Sequence, residues 1–392
     1  MKLCNSRYAI NRFKRPNRYF FSILGMLLLL TASTLYPSQE DPTEISQKKG
    51  ESLQVSLAVE SITGEEISGK KPGTQEDLTP GAVNSFIAFG DSITWGMMRM
   101  NNLPFDPSGG YRHPELAYPQ KIKEMLAAEY GEGKISYFNL GVPKHTTYDG
   151  VERIDEELAA NNARYLLIMM GTNDAWYKSF SLDNSLENLA YIIDAALSRN
   201  MNVVISTIPP RNDRFNIPRI AANIKALNGG IIDLADEKNI NYIDTYTAFM
   251  NYDPPDGWKK LMEDRGKNYY INGEAGEHPS PIGHQLIAEL FVPQITAYPP
   301  ATPGKITMPQ TESNVVNAGW PENYEFDLSH YHIEFGYFPD RLNRTVSSIS
   351  PGFIFIPPPF FTSPARVYFR IRAIDDRGNK SGFTPVYTGI FD

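Results

Sequence analysis

From Ser85 to Tyr298 short apolar runs alternate with longer stretches of helical period. The runs are Phe86–Phe89, Ile135–Leu140, Tyr165–Met170, Val203–Ile208 and Tyr242–Tyr246. Helical patterns lie between them near Ala117–Tyr130, Val151–Asn161, Leu182–Asn200 and Ile217–Lys238, and a last helix starts near Pro281. Strand–helix alternation predicts an α/β fold with a mostly parallel sheet and helices on both faces. Strands buried on both sides read as nearly continuous apolar runs, as Leu166-Leu-Ile-Met-Met170 does.

The pattern changes after Pro299-Pro-Ala-Thr-Pro303, a stiff junction that breaks helices. Beyond it Tyr331–Phe335 and Val367–Ala373 alternate with period two, and no helical period appears. Residues 299–392 therefore form a small all-β module, with Asp375-Asp-Arg-Gly378-Asn379 as a hairpin-type turn. The stretch Val367–Ser381, with Trp320 and the Tyr331-His-Ile spacing upstream, resembles a fibronectin type III domain, which implies an immunoglobulin-like sandwich.

The N-terminus has another character. Six basic residues and no acid precede and flank an apolar run from about Tyr19 to Leu30, followed by Thr31-Ala32-Ser33. Residues 1–37 read as an export signal or a retained membrane anchor. Residues 38–84 read as a polar tether without sustained period. Losing the N-terminal basic residues takes the net charge from −8 to −14, which argues against binding a nucleic-acid backbone. The only cysteine is Cys4, so an exported body has neither disulfide nor thiol chemistry. The six histidines show no metal-ligand spacing, His113 and His145 read as surface residues, and no cofactor is expected.

Chemistry concentrates in four islands, each at the carboxyl end of an expected strand or just before the last helix. Phe86-Ile-Ala-Phe-Gly-Asp-Ser92 runs an apolar strand into a turn that lifts one hydroxyl to the sheet's carboxyl end, where open α/β sheets bind ligands. The others are Asn139-Leu-Gly141-Val-Pro-Lys-His-Thr-Thr147, Gly171-Thr-Asn173-Asp174 and His278-Pro-Ser-Pro-Ile-Gly-His284. Each residue alone has a plain reading. Ser92 can cap a helix, the glycines can make turns, and Pro279 can start a helix after a loop histidine. In this order they resemble the blocks of the SGNH hydrolases, or GDSL esterase/lipase family, over Ser85 to Phe291.

That resemblance implies a flavodoxin-like three-layer fold for residues 85–298 and ester hydrolysis through an acyl-serine. Ser92 would be the nucleophile and His278 the general base. The N–H groups of Ser92 and Gly141 and the Asn173 side-chain amide would form the oxyanion hole. Two departures stand out. The family's aspartate three residues before the histidine is Ala275 here, leaving Glu274 as a displaced candidate or a Ser-His dyad. Lys144 stands where a second glycine is usual. Trp176 and Tyr177 lie where they can stack on a sugar or cover an acyl chain. The implied substrates are lysophospholipids, short acyl esters or O-acetylated carbohydrates. An O-acyltransferase on cell-envelope glycans and an inactive extracellular binding protein are the alternatives.

Overall fold

The strand at Ser85–Gly90 (β1) is buried along its whole length and sits near the middle of a five-stranded parallel sheet. Its companions are β2 (Ser136–Gly141), β3 (Tyr165–Met169), β4 (Asn202–Ser206) and β5 (Asn241–Ile243), in the order β2-β1-β3-β4-β5. The order reverses between β1 and its neighbours, and that switch point is where a crevice opens at the carboxyl ends of the strands. The computed structural model describes residues 83–100, 103, 111–211, 217–253, 257–262, 276–308, 315–356 and 364–391. The expected export segment, most of the tether and Glu274 with Ala275 lie outside the described residues.

Strand periodicity divides the core in two. Ile87, Phe89, Leu166, Ile168, Val203 and Ile205 face the helices α3 (Thr147–Ala160), α5 (Leu182–Leu197) and α6 (Pro218–Lys238). Phe86, Ala88, Leu167, Met169 and Val204 face α2 (Tyr118–Tyr130) and α8 (Pro281–Ile295). Each fully buried large side chain contributes roughly 1.5–3 kcal/mol, so a register slip in β1 would be costly on both faces. The remaining helices are short: α1 (Ser92–Trp95), α4 (Thr172–Trp176) and α7 (Thr245–Met250).

Two of the boundaries that differ from the sequence expectation do so because of a helix cap. Helix α3 begins at Thr147 rather than Val151, because Thr146 and Asp149 form a reciprocal capping box. The fifth strand ends at Ile243, where Asp244 caps α7 by accepting from Thr247 N at 3.0 Å. His113, expected at the surface, is 4% exposed, and its backbone N–H donates to Gly96 O at 2.8 Å. Met98 N likewise donates to Tyr111 O at 3.0 Å, so Tyr111–His113 lie against the residues that follow α1.

The C-terminal module has two antiparallel sheets. Strands β7 (Leu328–Gly336), β8 (Arg344–Ser348), β10 (Ala365–Asp375) and β11 (Tyr387–Phe391) form one, and β6 (Val316–Gly319) with β9 (Gly352–Phe355) the other. Tyr331 and Ile333 of β7 and Val367, Phe369 and Ile371 of β10 point inward and meet Val316, Ala318 and Phe355 in one core. Trp320 packs edge-on against Tyr331 at 5.1 Å. Asn84, where the tether was expected to end, is bound to this module through Tyr324 O at 2.7 Å and Phe326 N at 2.9 Å.

Candidate active site

At the end of β1 the chain turns so tightly that Gly90 can carry no side chain, since a Cβ there would overlap the Met169 carbonyl. Asp91 follows and caps α1, its Oδ1 accepting from Ile93 N at 2.9 Å. Ser92 is then the first residue of a one-turn helix. First-turn N–H groups have no intrahelical acceptor, and among the described residues the Ser92 N–H meets none elsewhere.

His278 reaches the same place from the far end of the domain. Ser280 caps α8, its Oγ accepting from Gly283 N at 3.3 Å. Ser280 N donates to Leu261 O at 2.7 Å and Ser280 Oγ to Lys260 O at 2.9 Å, which pins the segment against the 3-10 turn Gly257–Leu261. His278 is 4% exposed, and its Nε2 lies 2.9 Å from Ser92 Oγ although the residues are 186 positions apart. That distance is within reach for direct proton transfer. With Nε2 accepting from the hydroxyl, Nδ1 carries the ring's proton. The nearby Glu277 carboxylate is bound by Arg211, Nη2 to Oε1 at 2.7 Å.

The β2–α3 loop completes the site, and its backbone donors can be followed one by one. Gly141 N donates to Asn139 Oδ1 at 3.0 Å, and Asn139 Nδ2 donates to Thr94 O at 2.8 Å. A Cβ on Gly141 would strike the backbone of Trp95. Gly141 therefore packs β2 against α1, and its N–H is not offered to a ligand, contrary to the role expected for it. Val142 N donates to Gly90 O, His145 N to Val142 O, and Pro143 has no N–H. Thr146 N donates to Asp149 Oδ2 and Thr147 N to Asp174. Lys144 remains, with φ 70 and, among the described residues, no acceptor for its N–H. A left-handed backbone at a lysine is unusual and turns that amide out of the local pattern.

Asn173 stands in α4 after Gly171, whose φ is 123. One of its side-chain N–H bonds goes to His145 O at 2.8 Å, which ties the two loops together and leaves the other N–H to serve a ligand. Asp174 strengthens the tie by accepting from Thr147 N at 3.0 Å and Thr147 Oγ1 at 2.6 Å. Trp176, at the end of α4, receives the Arg211 guanidinium 4.4 Å from its ring centre. Arg211 thus joins the helix carrying Asn173 to the segment carrying His278. The sequence pattern did not single out Arg211, although its place just beyond β4 is a strand-end position like the others.

Charge is arranged with similar economy. Burial pushes the Asp91 carboxyl up to about 6, opposed by the Ile93 N–H and by the field of His278. Burial also works on Glu277, but Arg211 and His278 together hold its carboxyl below the usual range. Among the described residues no three His, Cys, Asp or Glu side chains converge as metal ligands. What meets is a hydroxyl and an imidazole, with N–H groups of Ser92, Lys144 and Asn173 left without protein acceptors among the described residues on the flanking elements, a set that suits attack on a carbonyl with its oxygen stabilised as charge develops.

The chain is similar to several known proteins. The chain is 27% identical over 225 residues to an uncharacterized lipoprotein, YqeF, of Bacillus subtilis, covering 52% of this chain and 86% of that one. It is 24% identical over 231 residues to an acetylxylan esterase of Geobacillus stearothermophilus, covering 55% and 95%. A lipase/acylhydrolase structure from Enterococcus faecalis matches with 26% identity and a TM-score of 0.44, covering 54% and 95%. The family model for GDSL-like lipases and acylhydrolases matches residues 88–286, from the middle of β1 into α8, and so spans every element that carries the site. This chain belongs to the GDSL-like lipase/acylhydrolase family.

Proposed function

We propose that the protein is an exported serine esterase that removes short acyl groups, acetyl foremost, from carbohydrate, with Ser92 as nucleophile and His278 as base. The observation carrying this reading is the 2.9 Å approach of His278 Nε2 to Ser92 Oγ beside unpaired donors. As Ser92 Oγ attacks the ester carbonyl, its proton passes to Nε2. The carbonyl oxygen becomes an oxyanion held by the Ser92 and Lys144 N–H groups and the second Asn173 amide hydrogen. The imidazolium returns the proton to the departing alcohol, leaving an acyl-serine. Water then enters, gives its proton to Nε2 and releases the acid, restoring Ser92.

The relative named as an acetylxylan esterase supports an acetylated glycan as substrate, and the one named as a lipoprotein supports export. The C-terminal module, read as fibronectin type III-like, would lie beside the enzyme body as a non-catalytic domain. Glu274 is the remaining candidate to hold Nδ1. Ser92→Ala should lower kcat on p-nitrophenyl acetate by at least about a thousandfold while leaving the melting temperature unchanged. Absence of both turnover and fluorophosphonate labelling in the unmodified protein would overturn the reading.

A further inference from the structure

A cleft of about 430 Å³ opens between the first turns of α3 and α5 and the end of α4. Thr146 and Asp174 form its near edge, one residue beyond His145 and Asn173. The Asn173 Nδ2–His145 O bond at 2.8 Å joins the two loops just before that edge, so the cleft adjoins the loops that carry the unused donors. The volume falls in the range of small-ligand sites, about 300–1,000 Å³, but the lining differs from the apolar kind usual for them.

The lining carries its own chemical signature. Tyr148, from the first turn of α3, is 61% exposed, and Tyr177, at the end of α4, is 48% exposed. These rings come from different elements, yet both border one polar depression. Asn184, Glu187 and Asn188, on the first turns of α5, supply donors and acceptors between them. No lysine or arginine lines the cleft, so nothing there compensates a phosphate or another anion. Phe180 is its one apolar side chain besides the tyrosines, too little to sheathe an alkyl chain. Flat rings paired with amides and a carboxylate, without cations, match a neutral pyranose chain. Such a ring offers C–H faces to the tyrosines and hydroxyls to the polar groups.

We infer that this cleft is a glycan subsite, in which Tyr148 and Tyr177 hold the sugar chain bearing the ester. The inference rests on the esterase reading for its substrate but makes a separate prediction about binding. Tyr148→Ala and Tyr177→Ala should each lower kcat/KM on acetylated xylo-oligosaccharide by about tenfold, mostly through KM, while p-nitrophenyl acetate turnover stays within roughly twofold. Calorimetry with deacetylated xylohexaose, cellohexaose and chitohexaose measures the subsite without any reaction. Binding of at least one, weakened in both variants, is the expected result. Binding of none, or equal loss on p-nitrophenyl acetate and on the oligosaccharide, would overturn the subsite and leave the esterase reading standing. Oligosaccharide binding by a protein inert toward p-nitrophenyl acetate and fluorophosphonate would overturn the esterase reading and leave the subsite standing.

Discussion

The parallel sheet buries a carboxyl group near each of its ends, and the two are treated differently. At the carboxyl end Asp91 is 1% exposed, and burial pushes it up to about 6. At the amino end Asp327 of the β-module is 5% exposed, and burial pushes it up to about 7 against the opposing charge of Arg164. Arg164, just before β3, turns its guanidinium to Glu325 at 2.7 Å and to Pro299 O at 2.7 Å. Glu325 in turn accepts from Ala301 N at 2.6 Å. Polar groups there bind one another and close the seam between body and module. At the other end Ser92, Lys144 and Asn173 keep donors that no protein group among the described residues takes up. Among the described residues the seam is not fully satisfied, since Glu325 Oε2 and Asn323 Oδ1 lie buried without a hydrogen-bond partner, but its charged groups face one another, whereas the donors at the other end face no protein acceptor.

The seam should therefore be the more fragile end toward loss of one partner. Arg164→Met leaves Glu325 buried without its cation, and removing one member of such a pair typically costs about 3–5 kcal/mol. Urea unfolding should show that loss. Arg164→Met with Glu325→Leu should recover most of it, because the uncompensated charge is then gone. Equal stability of the unmodified protein and the single variant would mean that the seam does not hold the module in place.

Titration sharpens the contrast. A carboxyl whose folded pKa lies above its ordinary value favours folding below about pH 4, where it is protonated in both states. That stabilisation is lost as pH rises through the folded pKa. At 1.36 kcal/mol per unit, the loss is at most about 3 kcal/mol for Asp91 by pH 7 and about 4 kcal/mol for Asp327 by pH 8. Asp91→Asn and Asp327→Asn keep a neutral group at each place, so both should gain stability over the unmodified protein as pH rises from 4.5 to 7.5. Activity should separate them. Asp91→Asn removes a negative charge facing His278 and should lower kcat several-fold, whereas Asp327→Asn should leave kcat unchanged.

The sequence revealed the catalytic end better than the seam, for physical reasons. The candidate residues stand at strand ends or just before the last helix, and nearly continuous apolar runs mark those strands even without knowledge of packing. The meeting of Ser92 and His278 was legible from the order of the four sequence islands. The family resemblance assigned an oxyanion donor to Gly141, a part that suits glycine because its backbone can approach closely. The approach is real, but it is to Trp95 rather than to a substrate. Lys144 was visible only as an oddity, since φ cannot be read from a lysine. Arg164, Glu325 and Asp327 lie on surfaces whose pairing depends on how two domains dock, and no local period encodes that. Asn84 looked like the end of a tether for the same reason. The capping box at Thr146 and Asp149 was written in the sequence and marks the true start of α3.

Arg211 gives the smallest effect and the finest test of how the open end is held. It binds Glu277 and stacks on Trp176, so it links the base's segment to the helix that carries Asn173. It does not touch the reacting atoms and acts as a positioning residue. Arg211→Met should lower kcat on p-nitrophenyl acetate by about tenfold with KM nearly unchanged, as expected when geometry rather than binding is disturbed. It also uncovers the Glu277 carboxylate beside His278, which favours the imidazolium, so the acid limb of the kcat/KM profile should move to higher pH. Adding Glu277→Gln should return that limb toward its original position without restoring kcat. A role in folding alone would lower the yield of active protein and leave the pH profile of the surviving fraction where it was. Arg211→Lys keeps the charge but loses the planar stack and should fall between the two. If Arg211→Met matches the unmodified protein in kcat and in pH profile, the base and the oxyanion donors are held independently, and the link through Trp176 plays no part in catalysis.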